Sequence, residues 1–130
     1  MSTDDTDSTG DIFGIDGAVI DRTADRAGVE PDRLAGALEV LHADLIGRHS
    51  NLERTTEYVT VDGVRAYRVA SSVWEEFLEA FDFDADLAGA LRAAHTEQAR
   101  LLFAKSVTGD DHFGADEAGV VVSIDTAEQF

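Results

Sequence analysis

The chain has 130 residues, 44% of them hydrophobic, and 27 acidic against 10 basic side chains give it a net charge of -17. That length supports one domain with its own core. The absence of cysteine excludes disulfides, thiolate metal sites and a cysteine nucleophile, and no apolar run approaches the roughly 18 residues of a membrane span.

Residues 1–14, beginning MSTDDTDSTGD, read as a disordered acidic tail. They lack the basic and apolar runs of a signal peptide, so a cytoplasmic location is expected. Residues 15–130 read as one α+β domain. Asp16 suits the N-cap of a helix over 17–27, with Ala18, Val19, Ala24 and Ala27 on its inner face and Gly28 as its stop. Pro31 at a first helical position and Asp32 at the positive end of the dipole start a second helix, about 31–50. Leu34, Leu38, Leu41, Leu45 and Leu52 form its stripe.

Two β-rich runs, Glu57–Val61 and Val64–Val69, flank Asp62-Gly63. A two-residue Asp-Gly loop predicts a type I′ hairpin over 57–69. Its register sets Val61 against Val64, Val59 against Ala66 and Glu57 against Arg68 on one face. Thr60 then faces Arg65, and Tyr58 faces Tyr67, on the other. The valine face is expected to pack on helices, and the Tyr/Arg face is the candidate open or functional face, with the sequence leaving undecided whether it is exposed or buried in a dimer.

Ser72-Val-Trp-Glu75 matches a capping box and starts a third helix, about 72–81, with Trp74, Phe77, Leu78 and Phe81 inward. A fourth helix runs about 84–107, and Gly109 ends it. Residues 108–118 read as a loop. The C-terminal strand, 119–124, is apolar on both faces from Val120 to Ile124, which suits a central place in the sheet. Phe130 is expected to anchor the C-terminus. The architecture is then about four helices with a small, three-stranded, mainly antiparallel sheet.

Leu34-Ala-Gly-Ala-Leu38 recurs as Leu87-Ala-Gly-Ala-Leu91, followed at matching distances by His42 and His95, then Asp44 and Glu97. The echo raises a duplicated unit, 15–69 and 72–130, whose small Ala-Gly-Ala patches would let two helices approach closely. Repeated use of the same good helix formers is the ordinary alternative. If the copies pack together, Glu39, His42, His95 and Glu97 become candidate metal ligands or proton carriers of an enzyme. Half-buried histidines bonded to neighbouring helices are the simpler alternative. Asp110, Asp111, His112, Asp116 and Glu117 lack the spacing of a calcium loop and suit a solvated acidic surface. No glycine-rich phosphate loop or nucleophile elbow occurs, and nothing calls for a cofactor.

The charge is uneven. Residues 17–70 carry nine acids and seven arginines and sum to -2, whereas residues 71–130 carry thirteen acids and three bases. A near-neutral segment on an acidic chain is a candidate contact region, unless its arginines simply pair with local acids. Within it, Tyr58, Arg65, Tyr67 and Arg68 are the candidate interaction surface, because exposed Tyr and Arg are common interface anchors.

Two resemblances bear on function. Ala24-Asp-Arg-Ala27-Gly28-Val29, with Leu34 and Leu38 after it, resembles the helix–turn–helix of bacterial and archaeal transcription regulators. The hairpin at 57–69 would stand where a winged helix keeps its wing. That resemblance implies DNA binding through Arg22, Arg26, Arg33, Arg48, Arg65 and Arg68. The start of the recognition helix departs from it, since Glu30, Pro31, Asp32 and Arg33 offer one good base-reading side chain. The second resemblance is compositional. Asp outnumbers Glu 17 to 10, and Lys105 is the only lysine beside nine arginines. The chain is similar in this to small acidic proteins of unknown function encoded by haloarchaeal genomes, and such a surface repels itself unless salt screens it. No motif identifies a reaction. The residues favour a non-enzymatic interaction or regulatory module, with an unknown protein partner or self-association. DNA is a possible alternative partner, and a membrane is not expected.

Overall fold

A computed structural model describes residues 11–106 and 113–123. Five helices and three strands follow one another: α1 (Gly17–Ala27), α2 (Pro31–Ile46), α3 (His49–Thr55), β1 (Glu57–Val61), β2 (Val64–Ala70), α4 (Ser71–Glu79), α5 (Ala85–Lys105) and β3 (Glu117–Ser123). The sheet order is β1-β2-β3, and both pairings are antiparallel. The α+β architecture and the hairpin register, from Glu57↔Arg68 to Val61↔Val64, are as the sequence predicts. Asp62 (φ 52°) and Gly63 (φ 78°) supply the two left-handed residues of a type I′ turn.

The helix expected over 31–50 is two helices. Its first part starts at Pro31 with Asp32 in the first turn, and it stops at Gly47, whose N–H bonds Asp44 and Leu45 carbonyls. Glycine weakens a helix interior, and after the break α3 leads into β1. Leu52 therefore belongs to α3, where it is buried. The capping box at Ser72 does not form. Helix α4 begins one residue earlier with Ala70 as its N-cap, and Ser72 is exposed. Ser71 instead donates its N–H to Asp116 O at 2.8 Å, and its Oγ accepts from Arg92 at 2.7 Å. Asp84 caps α5, its carboxylate accepting from Leu87 N–H at 2.9 Å. Asp16 holds the N-cap position of α1 without a side-chain bond, and Asp11 accepts from Gly17 N–H instead. Ala18 is exposed.

Residues 11–14, placed in the tail by composition, include a second tight turn. Ile12 and Ile15 exchange backbone bonds of 2.9 Å around Phe13 (φ 42°) and Gly14 (φ 91°). A Cβ on Gly14 would lie 2.8 Å from a Val64 methyl, so the turn is pressed onto the hairpin. The rest of the acidic head, Asp110 to His112, Ile124 and Phe130 lie outside the described residues.

Strand β3 is an edge strand, not the central one. Ala118 and Val120–Val122 are nonetheless buried. Helix α5 packs more extensively on β3 than any other helix does, α1 packs on α5, and α2 and α4 also reach β3. Gly119 marks the closest approach, because a Cβ there would meet the Ala99 Cβ at 2.4 Å and the Thr96 Cα at 3.1 Å. Apolar residues on both faces thus report burial by helices on a strand that has one strand neighbour among the described residues.

The Leu-Ala-Gly-Ala-Leu segments share a burial pattern. Leu34, Ala37, Leu38 and His42 are buried in α2, and Leu87, Ala90, Leu91 and His95 are buried in α5. Gly36 and Gly89 face outward, and a Cβ on either would touch nothing within 4 Å. The buried alanines, not the glycines, line the packed side.

Candidate functional site

Strands β2 and β3 pair through Arg65↔Val122, Tyr67↔Val120 and Val69↔Ala118. The alternate residues of β3, namely Glu117, Gly119, Val121 and Ser123, therefore aim their backbone groups away from the sheet. Each outward N–H has an acceptor. Glu117 donates to Gly114 O at 3.0 Å. Gly119 donates to Thr96 Oγ1 at 3.0 Å, and its carbonyl accepts from Trp74 Nε1 at 2.8 Å. Val121 donates to His95 Nδ1 at 3.0 Å, and Ser123 donates to His42 Nε2 at 3.2 Å. The edge of β3 is sealed by side chains of α2, α4 and α5.

The two echo histidines thus do the same work two residues apart on one strand. Each uses an unprotonated ring nitrogen as an acceptor, which an imidazolium cannot offer. Burial pushes His42 down from 6.5 to about 4. Burial, then the neighbouring His42, pushes His95 to about 3. Phe13 lies flat on the His42 ring, 4.2 Å between centroids and 4° between planes. Trp74 meets the His95 ring edgewise at 5.1 Å. The His95 Nε2 is buried with no hydrogen-bond partner among the described residues. Glu39 is exposed, and Glu97 is held by Arg22 and Arg26. Among the described residues no group of three or more His, Asp or Glu side chains is placed to hold a metal ion.

The hairpin residues divide. Tyr58 is 39% exposed, whereas Tyr67 directly across from it is fully buried. Burial raises the Tyr67 phenol above its usual range, and a hydrogen bond from Arg65 opposes that rise. Arg68 points to the other face, where its guanidinium sits 4.8 Å from the Phe103 ring and 4.9 Å from Phe113 and bonds Glu57 at 2.7 Å. Of the four candidate surface residues, Tyr58 is exposed, Tyr67 is buried, and Arg65 and Arg68 are half-buried on opposite faces of the hairpin. Arg65 is held in place: it lies 4.5 Å over the Tyr58 ring, and it donates to Thr60 Oγ1 at 3.0 Å and to Glu53 at 2.8 Å.

The other edge of the sheet contrasts with β3. In a hairpin closed by two residues, Val61, Val59 and Glu57 bond inward, so Tyr58 and Thr60 aim their N–H and C=O outward. No other strand pairs with that side, and no turn or loop backbone bond reaches it, among the described residues. Thr60 and Tyr58 side chains are both exposed beside it.

Six of the seven arginines of the near-neutral segment hold a carboxylate, and Arg54 is exposed. Arg22 and Arg26 share Glu97, and Arg33 pairs with Asp84. Arg48 bonds Asp44 at 2.6 Å and lies over Phe77, and Arg65 pairs with Glu53. Sequence reasoning located the histidines and the hairpin. It missed Phe13, Thr96 and Gly119, whose parts are set by what lies across the fold. No helix of the described residues is long and apolar enough to cross a membrane.

The chain matches no curated protein and no solved structure. A family model does match residues 14–124, a span that includes every described strand and helix and both histidine seals, and the chain belongs to that family, a domain of unknown function designated DUF8048.

Proposed function

We propose that this protein is a non-enzymatic protein-interaction module that accepts an extended segment along β1, within the salt-rich cytoplasm of a halophile. The supporting observation is the asymmetry of the sheet. All four outward N–H groups of β3 are satisfied internally, whereas the outward groups of Tyr58 and Thr60 on β1 have no backbone partner among the described residues. An exposed edge is a template for strand addition, in which main-chain bonds give affinity and flanking side chains give selectivity. Tyr58 and Arg65 are the flanking side chains, stacked and held in place before any partner arrives. The abundance of aspartate and the single lysine support the salt-rich setting.

The winged-helix reading draws no support from the arginines, because Arg22, Arg26, Arg33, Arg48, Arg65 and Arg68 each already hold a carboxylate. The metal reading draws none from His42 and His95, whose acceptor nitrogens are occupied by backbone donors.

A photo-crosslinking amino acid at position 58, with a control at exposed Glu75, tests the proposal in cells grown in molar salt. Capture of a defined polypeptide at position 58 and not at 75 is expected. An absence of products specific to position 58 would remove β1 as the working edge.

A further inference from the structure

We infer that the segment received by β1 is β1 of a second copy of this chain, forming a continuous six-stranded sheet across a twofold axis. The inference rests on the strand-addition reading and names its partner. Local charge is the first ground. The chain carries -17, so two copies repel over most of their surfaces, yet the hairpin 57–69 holds two acids and two arginines and is neutral. Two copies can meet there without bringing like charge together.

Register is the second ground. Antiparallel twofold pairing must match outward residues with outward residues. Tyr58 opposite Thr60 of the second copy, and the reverse, uses every outward group of both strands. Shifting one way calls on Thr56, whose N–H already caps α3 by donating to Leu52 O at 2.9 Å. Shifting the other way calls on Asp62, which has φ 52° in the turn and is not extended. One register therefore fits.

Side chains in that register agree. Val59 meets Val59 of the second copy on the axis, continuing the apolar face that packs on α5, and Glu57 meets Val61. On the opposite face Tyr58 meets Thr60, an aromatic/β-branched cross-strand pair. Arg65, Thr60 and the second copy's Tyr58 then form one row across the sheet. No charged residue directly faces a like charge.

Sedimentation equilibrium of the full chain in molar KCl, from low to high micromolar concentration, tests this. The expected result is a concentration-dependent rise toward twice the 14.0 kDa mass. Thr60→Pro removes an outward N–H that the monomer does not use, and proline is tolerated at such edge positions. That variant is expected to keep its far-UV spectrum and remain monomeric. In the wild-type chain, exchange of the Tyr58 and Thr60 amides should slow as dimer forms, while that of Val121 stays unchanged, a readout that needs no variant. A dimer that survives in folded Thr60→Pro, or that leaves the Tyr58 and Thr60 amides unprotected, overturns the inference by placing the interface elsewhere. A chain that stays monomeric while position 58 still captures a different protein also overturns it, and leaves strand addition standing.

Discussion

Acidification from neutral pH should destabilise this protein through its two buried histidines. In the folded chain His42 and His95 accept hydrogen bonds from β3 and stay neutral, with pKa values pushed from 6.5 to about 4 and about 3. The unfolded chain takes up both protons as pH falls below 6.5. The stabilisation is therefore fully present above pH 6.5 and is lost as pH falls toward the folded-state values. Each pH unit between the two pKa values is worth about 1.4 kcal/mol per histidine, so going from pH 7 to pH 5 should remove about 2 kcal/mol each and about 4 kcal/mol together. That is a large share of the roughly 5–15 kcal/mol that holds an ordinary domain folded. Asp84, whose carboxyl is held below its usual range by the hydrogen bond from Arg33, titrates beneath this window. The assay is urea unfolding in molar KCl, followed by the emission of buried Trp74, the only tryptophan. The control is the double variant His42→Gln, His95→Asn, which keeps an acceptor near Nε2 and near Nδ1 but cannot titrate. Its stability should be nearly flat over the same range. A wild-type loss under about 1 kcal/mol, or an equal slope in the double variant, would refute the reasoning.

Phe13→Ala strips the stacked ring from His42 and admits water, so the His42 pKa measured by NMR should rise toward 6.5. Gly119→Ala places a methyl 2.4 Å from the Ala99 Cβ and should cost about 1–3 kcal/mol in thermal unfolding, with Ala99→Gly recovering part of it. Arg22→Ala touches only an exposed ion pair with Glu97 and should change stability by less than about 1 kcal/mol. In dilute buffer the chain should lose its native far-UV spectrum, and an unchanged spectrum from dilute buffer to molar KCl would sink the halophilic reading.

The hairpin was fully legible because its register follows from one Asp-Gly turn and a period of two. The helices were legible as stripes, but their ends were not. Gly47 divided a leucine stripe that continued into α3, and Ala70 displaced Ser72 as N-cap because the strand ran directly into the helix. The place of β3 was not legible, since composition reports burial and cannot tell a central strand from an edge closed over by helices. The histidines were visible as an echo, and their identity as hydrogen-bond acceptors required knowing that Val121 and Ser123 run past them. The exposure of the Tyr/Arg face was not legible for the same reason. Alternation groups Tyr58 with Tyr67, but only packing decides that one is wet and the other dry.

The sealing of β3 also fixes how far such a sheet can grow. Polymerisation by strand addition requires two free margins on every subunit, so that each newcomer presents a fresh one. Here His42, Thr96, Trp74 and His95 occupy one margin. One strand added to the other margin would leave no edge to build on, so growth by strand addition would stop at a pair rather than run on into a fibre.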